Sequence, residues 1–185
     1  MDLTASTVVE RAREYEREEP LFAVERDNLE TFPSAFREGS FTWKDAEWIV
    51  WWYYRRYLGT FPDAKRRSVE AAFRENDFGA VEDAIGTVTR TEDLTTRIES
   101  LTTLRGVDVP IASAFLFYVF PETCLVVGER EWGVLREAGE LTGPYPDSLS
   151  TEEYDGYIDI CRAVAGRLDV DFPTFYRALW RLGRE

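Results

Sequence analysis

Residues Pro110 to Phe120 read Pro-Ile-Ala-Ser-Ala-Phe-Leu-Phe-Tyr-Val-Phe, with no charged side chain and apolar groups around every face of the helix they predict. A helix without a polar face is stable only when other elements wrap it on all sides, so this segment predicts the central helix of a domain. Proline at its start fits, because the missing N–H would have no partner in a first helical turn. Just before it, a helical pattern running up to Leu104 is broken by Arg105-Gly106-Val107-Asp108-Val109. Glycine there permits a tight reversal. The stretch therefore predicts two helices joined by a short turn, the second buried at the centre of the chain.

Helical spacing dominates elsewhere and strand alternation is nearly absent, so the expected class is all-α. The pattern places helices over about 5–19 and 20–37, punctuated by Pro20 and Gly39. Thr42 and Asp45 resemble a capping box opening a third helix, which carries Trp48-Ile49-Val50-Trp51-Trp52-Tyr53-Tyr54 into the core and ends through Arg55 to Gly59. Further helices are expected over about 62–74, 78–89 and, after a Thr91 cap, 92–104. Pro121 stops the central helix, 124–127 reads as a short extended link, and another helix follows over 129–138. Residues 139–150 form the one clear loop, and Ser150 with Glu153 caps a helix to about Leu168. A last helix from near Asp171 sets Phe172, Phe175, Tyr176, Leu179 and Trp180 on one face and leaves Arg177, Arg181 and Arg184 largely outside. With no repeat, low-complexity tract or linker, residues 1–185 read as a single domain.

The composition, 44% hydrophobic and 15% aromatic, suffices for a core without metals or disulfides. A net charge of −13 would ordinarily argue against a nucleic-acid partner. Yet Lys44 and Lys65 are the only lysines and carboxylates crowd every expected solvent face, a halophilic pattern resembling proteins of salt-accumulating microbes, where acidity serves solubility. In such salt an interface of about six phosphate contacts would lose roughly five decades of affinity per tenfold rise in salt, so DNA binding would need stacking or shape as well. The absence of histidine removes His-ligated zinc, Ser-His-Asp triads and Cys-His pairs. Cys124 and Cys161 are far apart and read as buried small hydrophobes. The first residues lack a basic-then-apolar leader and no stretch is long enough to span a bilayer, so a soluble, cytoplasmic protein is expected.

The run Leu104-Arg105-Gly106-Val107-Asp108-Val109-Pro110-Ile111-Ala112-Ser113, with Val126-Val127-Gly128-Glu129-Arg130 after it, resembles the helix-hairpin-helix element of the DNA glycosylase superfamily. The resemblance covers about residues 92–138, the element itself about 92–120, and implies an all-α glycosylase-like fold. In that family a Gly-hydrophobic-Gly turn lets backbone N–H groups approach a phosphate. Here the second glycine is Asp108, which puts a carboxylate where the phosphate would come and reads instead as a cap accepting the N–H of Ile111 or Ala112. A monovalent cation held by hairpin carbonyls is a further family trait. The four-cysteine iron-sulfur cluster of some members is excluded with two cysteines. The aspartate that assists departure of the base corresponds to Gly128, and the Schiff-base lysine of lyase-type members to Pro110. Glycine can neither take a proton nor offset the sugar cation. Glu129 adjoins the empty position; its carboxylate would reach the cleft only through a local shift, and it serves equally as a first-turn charge favoured by the helix dipole. Tyr176-Arg177-Ala178-Leu179-Trp180-Arg181 resembles the ending of small uncharacterised relatives of the superfamily.

Arg55, Arg56, Lys65, Arg66 and Arg67 form the densest basic cluster, interleaved with Tyr53, Tyr54, Tyr57 and Phe61. Such a mixture suits a nucleic-acid backbone with stacked bases, while arginines that offset a helix dipole and pair with Asp63 and Glu70 would look the same. Three functional readings stand. The chain is a non-catalytic nucleic-acid-binding relative of base-excision glycosylases, a protein-interaction domain that does not bind DNA, or an active glycosylase using Glu129. Trp132, one turn past Gly128, either lines the cleft or seals it, and Trp43 and Tyr145 are left unassigned.

Overall fold

In a computed structural model of the chain, which describes residues 2–184, ten helices and no strand are present among the described residues: α1 (Ala5–Glu18), α2 (Phe22–Glu38), α3 (Trp43–Arg55), α4 (Asp63–Phe73), α5 (Phe78–Arg90), α6 (Leu94–Thr102), α7 (Val109–Val119), α8 (Glu129–Glu137), α9 (Thr151–Leu168) and α10 (Phe172–Leu182). The all-α expectation holds, with most boundaries within two residues. No helix of the described residues is long and apolar enough to cross a membrane.

The apolar helix α7 lies at the centre, every residue from Ile111 to Val119 buried, and packs against α2, α3 and α6. Local chemistry sets the starts of its neighbours. The Asp45 carboxylate accepts the backbone N–H of Thr42 at 2.7 Å, and Ser150 exchanges bonds with Glu153, closing the two expected capping boxes. The start of α6 departs from expectation. Its cap is Asp93, whose carboxylate accepts the N–H of Thr96 at 2.8 Å, while the Thr91 hydroxyl accepts the N–H of Asp93 and so shapes the turn before the helix.

The arginines of α10 also depart from expectation. Rather than lying outside, Arg177 and Arg181 are half-buried in a seam against α1, Arg177 pairing with Glu16 at 3.0 Å and Arg181 with Glu14 and Glu18. Arg184 pairs with Glu19. The long stems cover apolar surface while their heads meet carboxylates of the neighbouring helix. A buried acid ties α1 to two further helices, since Glu25 of α2 accepts from the Tyr15 hydroxyl of α1 at 2.6 Å and from Trp52 Nε1 of α3 at 2.7 Å.

Residues 124–127 form a link outside any helix between α7 and α8, and they are buried. A buried non-helical backbone must find partners for its polar groups. Three tyrosine hydroxyls supply them: Tyr154 donates to the Leu125 carbonyl, Tyr157 to that of Val126 and Tyr53 to that of Val127. The Val127 N–H donates to Ser113 Oγ, whose own proton goes to the Pro110 carbonyl. The link is thereby tied to α7, and it delivers Gly128 to one place beside the hairpin.

The hairpin is fixed from the other side by α4. Gly106 adopts φ of +75°, and a Cβ there would lie 2.7 Å from the Val69 carbonyl oxygen and 2.9 Å from the Phe73 nitrogen, so conformation and space both require glycine. Leu104 and Val107 are buried on either side of it. Asn76 bridges the two elements, accepting the N–H of Arg105 and donating to the carbonyls of Arg105 and Phe73. Asn76→Ala is expected to cost about 1–3 kcal/mol, the usual penalty for stranding partly buried hydrogen-bonding groups, and to speed amide exchange at residues 103–108. Unchanged exchange there would mean that the hairpin does not depend on this bridge.

Candidate functional site

A cavity of about 220 Å³ opens where the hairpin, the C-terminal end of α3, the start of α8 and the 139–150 loop meet. Its walls include Tyr53, Tyr54, Tyr57, Phe61 and Tyr145, with Pro110 from the hairpin and Lys65, Asp108, Glu129 and Asp147 as the charged groups. The volume is below the roughly 300–1,000 Å³ of pockets for drug-sized ligands and suits one planar ring system. Burial holds the Tyr54 and Tyr145 hydroxyls well above the usual phenol range, with Asp108 among the smaller contributors for both. Both phenols stay neutral donors at any ordinary pH.

Asp108 takes the capping role, its Oδ1 accepting the N–H of Ile111 at 3.0 Å. Asp108 remains partly open to solvent at the cavity mouth. Desolvation nevertheless pushes its carboxyl above the ordinary range, against the N–H of Ile111 and the charge of Lys65. The place where a hairpin turn would receive a phosphate thus carries an acid, and one N–H of the new helix is already committed to it.

Gly128 is the N-cap of α8, in extended backbone that any residue adopts. Its reason for being glycine is space. A Cβ at this position would lie 2.8 Å from Glu131 Oε2, 3.0 Å from Arg56 Nη2 and 3.3 Å from the Tyr57 hydroxyl. The slot a side chain at 128 would enter is filled by a buried ion pair, Arg56 Nη1 to Glu131 Oε1 at 2.6 Å, both side chains at most 1% exposed. Residues three apart on a helix share a face, so Glu131 reaches back beneath Gly128. Around the pair, the Arg56 guanidinium lies over the rings of Trp52, Tyr53, Tyr57, Tyr176 and Trp180, 4.4 to 5.9 Å from their centroids, and Nε donates to the Tyr53 carbonyl. Arg56 Nη2 and Glu131 Oε2 have no partner in the protein, and both flank the missing Cβ.

The basic cluster separates. Arg56 points inward and is no surface contact, a correction to the sequence reading caused by the turn of about 100° between adjacent helix positions. Arg55 stays exposed over the Trp51 ring, 3.5 Å from Glu70. Arg66 pairs with both Asp63 and Glu70 at 3.0 Å, and Arg67 with Asp63 at 3.4 Å. Lys65 alone of the five reaches the cavity, its Nζ 5.7 Å from the centre of the Phe61 ring. Arg55 and Arg66 line an adjoining groove with Tyr54, Gly59, Phe61 and Asp63, and Arg130 lines a third depression with Tyr57, Phe61 and Glu129.

Glu129 is exposed at the mouth of the cavity and does not enter the slot beside it. Trp132 seals, being buried against Tyr157 with its Nε1 donating to the Gly143 carbonyl. Trp43 is half-buried and stacks on the core residue Phe73, whereas Tyr145 stays at the cavity. Glu131 and Tyr145 were not assigned a role from the sequence. For Glu131 the signal in the sequence is its spacing of three from Gly128, one helical turn along α8. Both thiols are buried and held above the usual cysteine range by desolvation. Among the described residues no group of three or more His, Cys, Asp or Glu side chains is placed to hold a metal. A larger depression, about 650 Å³, lies around Phe120, Arg37 and Arg97, and it contains none of the residues the sequence had marked as a candidate site.

No protein-family model matches the sequence, and no curated protein matches it either. Among solved structures, the chain is similar to the 8-oxoguanine glycosylase/lyase of Methanocaldococcus jannaschii in complex with a 15mer DNA containing 8-oxoguanine, at 14% identity, over 94% of this chain and 95% of that one, with a TM-score of 0.52. It is similar also to the 8-oxoguanine DNA glycosylase of the same organism, at 14% identity, 94% and 92% coverage and a TM-score of 0.50. At this identity the likeness shows the fold: ten helices arranged as in a DNA glycosylase.

Proposed function

We propose that the protein is a non-catalytic nucleic-acid-binding relative of base-excision glycosylases, which holds an extruded base in the aromatic cavity without cleaving its bond to the sugar. The observation that carries this reading is the filled slot at Gly128. Base release needs a carboxylate free to act on the sugar as positive charge develops. The acid beneath position 128, Glu131, is buried and already faces a guanidinium at 2.6 Å, while Glu129 lies exposed at the cavity mouth, outside that slot. Neither an available carboxylate at 128 nor an amine at 110 accompanies the cavity, yet its aromatic walls remain open. Stacking on aromatic faces tolerates salt better than phosphate contacts do, which agrees with an acidic chain whose arginines are mostly spoken for.

The test is binding of single-stranded, abasic and intact duplex DNA by fluorescence anisotropy across a salt series. Preference for the single strand over the intact and abasic duplexes is expected, because its bases reach the cavity without unpairing and an abasic site offers none, with a shallow logarithmic salt slope of about −2 to −4, corresponding to few phosphates. Asp108→Asn keeps a good N-cap while removing the charge, so affinity is expected to rise by about threefold to tenfold. Uracil-, alkyl- and oxo-base duplexes should release no base at molar salt. Absence of binding at low salt by folded protein would favour a protein-interaction domain, the reading that Asp108 and the acidic surface favour. Base release that disappears in Glu129→Gln would instead identify an active enzyme.

A further inference from the structure

The depression around Phe120 shares no residue with the aromatic cavity. At about 650 Å³ it falls within the roughly 300–1,000 Å³ of sites that hold small organic molecules. Its floor is apolar, with Phe120, Cys124 and Ile158 buried and Leu94 half-buried. Three of the acids around it are engaged: Asp93 caps α6, Glu122 pairs with Arg37 at 2.6 Å, and Asp159 pairs with Arg162 at 2.6 Å. Three other charged groups are unmatched. Among the described residues Arg97, Glu92 and Asp155 form no ion pair, although all three line the same depression.

Arg97 is unmatched because it is pinned. Its Nε donates to the Thr91 carbonyl at 2.8 Å, and its guanidinium lies over the Phe120 ring, 3.8 Å from the centroid. A free arginine would swing to a neighbouring acid; one held by an edge and a face keeps its terminal nitrogens as a fixed fork, the geometry that grips a carboxylate through two parallel bonds. Little side-chain freedom is then left to lose on binding. Asp155 on α9 and Glu92 before α6 stand beyond ion-pair distance of that fork, so charges of opposite sign are held apart over an apolar floor. The complement of such a site is a molecule that carries both charges and an apolar side chain. We propose that this depression binds a free apolar α-amino acid, its carboxylate on Arg97, its ammonium on Asp155 and Glu92, and its side chain on Phe120 and Ile158. A phosphate or a dicarboxylate would meet the surrounding acids, and a simple amine would leave the fork empty. The site is independent of the nucleic-acid reading and stands or falls without it.

The experiment is calorimetric titration of the full chain, in dilute buffer, with l-leucine, N-acetyl-l-leucine, which lacks the ammonium, and l-leucinamide, which lacks the carboxylate. l-Leucine is expected to bind with a Kd below about 1 mM and each of the other two at least about tenfold more weakly, the usual loss when one charged contact is left unmade. Arg97→Lys keeps the charge but not the fork, and should weaken l-leucine about tenfold while leaving l-leucinamide unchanged. Asp155→Asn, on an exposed helix face, should weaken l-leucine and leave N-acetyl-l-leucine unchanged. The comparison of the three ligands on the wild-type chain needs no variant, so it decides the matter even if a substitution disturbs the fold. No binding of l-leucine at about 10 mM would overturn the site. Equal binding of N-acetyl-l-leucine would overturn the free amino acid and point to the carboxyl terminus of another chain, and equal binding of l-leucinamide would overturn the role of Arg97.

Discussion

Replacing Glu131 by alanine is expected to lower the stability of the folded chain by about 3–5 kcal/mol, the cost of leaving a buried guanidinium without its counter-charge. Arg56 does not escape by losing its proton: in the native chain desolvation pulls its pKa down, but Glu131 and the surrounding tyrosines together hold it above the ordinary arginine value, and a guanidinium starts so far above neutral pH that it stays charged without Glu131. Nor can it turn to solvent, packed as it is between Tyr53 and Trp180 with Nε committed to the Tyr53 carbonyl. Arg56→Met should cost a similar amount by stranding the carboxylate. The double variant Arg56→Met/Glu131→Leu should fall well short of the sum of Arg56→Met and Glu131→Leu measured singly, because a buried pair replaced by apolar groups of similar size is often close to neutral. A coupling of about 5 kcal/mol or more in the double-mutant cycle is the expected result, read from urea midpoints at fixed salt. For a chain of this length, either single change corresponds to a melting temperature about 10 °C lower. Single variants that each cost less than about 1 kcal/mol, the range of solvent-screened pairs, would mean that water reaches this pair and that the slot beneath Gly128 is open.

What could be read from the sequence was what is decided locally. The position of α7 followed from its having no polar face, and Asp108 took the capping bond that its place before Pro110 suggested. The Ser150 box likewise depends on residues within one turn. Distant pairings could not be read. Arg55 and Arg56 are neighbours in one basic run, yet their side chains are 48% and 1% exposed, because the helix turns the second toward a partner 75 positions away. The same limit hid the seam between α10 and α1, where Arg177 meets Glu16 across 161 positions. It also hid the tyrosines that satisfy the 124–127 carbonyls, since aromatic residues at helical spacing give no sign of whether a hydroxyl is spoken for. Gly128 combined both situations. Its lack of a side chain was plain in the sequence, but the occupied space beside it was not.

That occupied space makes the reverse substitution informative. Gly128→Asp, which restores an acid at the position the resemblance marks, is expected to destabilise the protein by about 2–4 kcal/mol and to gain no base-releasing activity. The new Cβ would stand 2.8 Å from Glu131 Oε2 and 3.0 Å from Arg56 Nη2, ends of long side chains that are locked to each other and to the rings around them. Two carboxylates about 4 Å apart repel by about 4 kcal/mol at an effective dielectric constant near 20, and one arginine cannot offset both, so one acid takes up a proton or the pair breaks. The double variant Gly128→Asp/Glu131→Ala should then be more stable than either single change, since the introduced carboxylate would meet the Arg56 Nη2 that has no partner in the native chain. Melting curves of the four proteins at one salt concentration, alongside a glycosylase assay, decide the matter. If Gly128→Asp melts with the wild type, the slot has room for a side chain; if it also releases a base, the cavity is a complete active site lacking one carboxylate, and the ion pair beneath it is no barrier to catalysis.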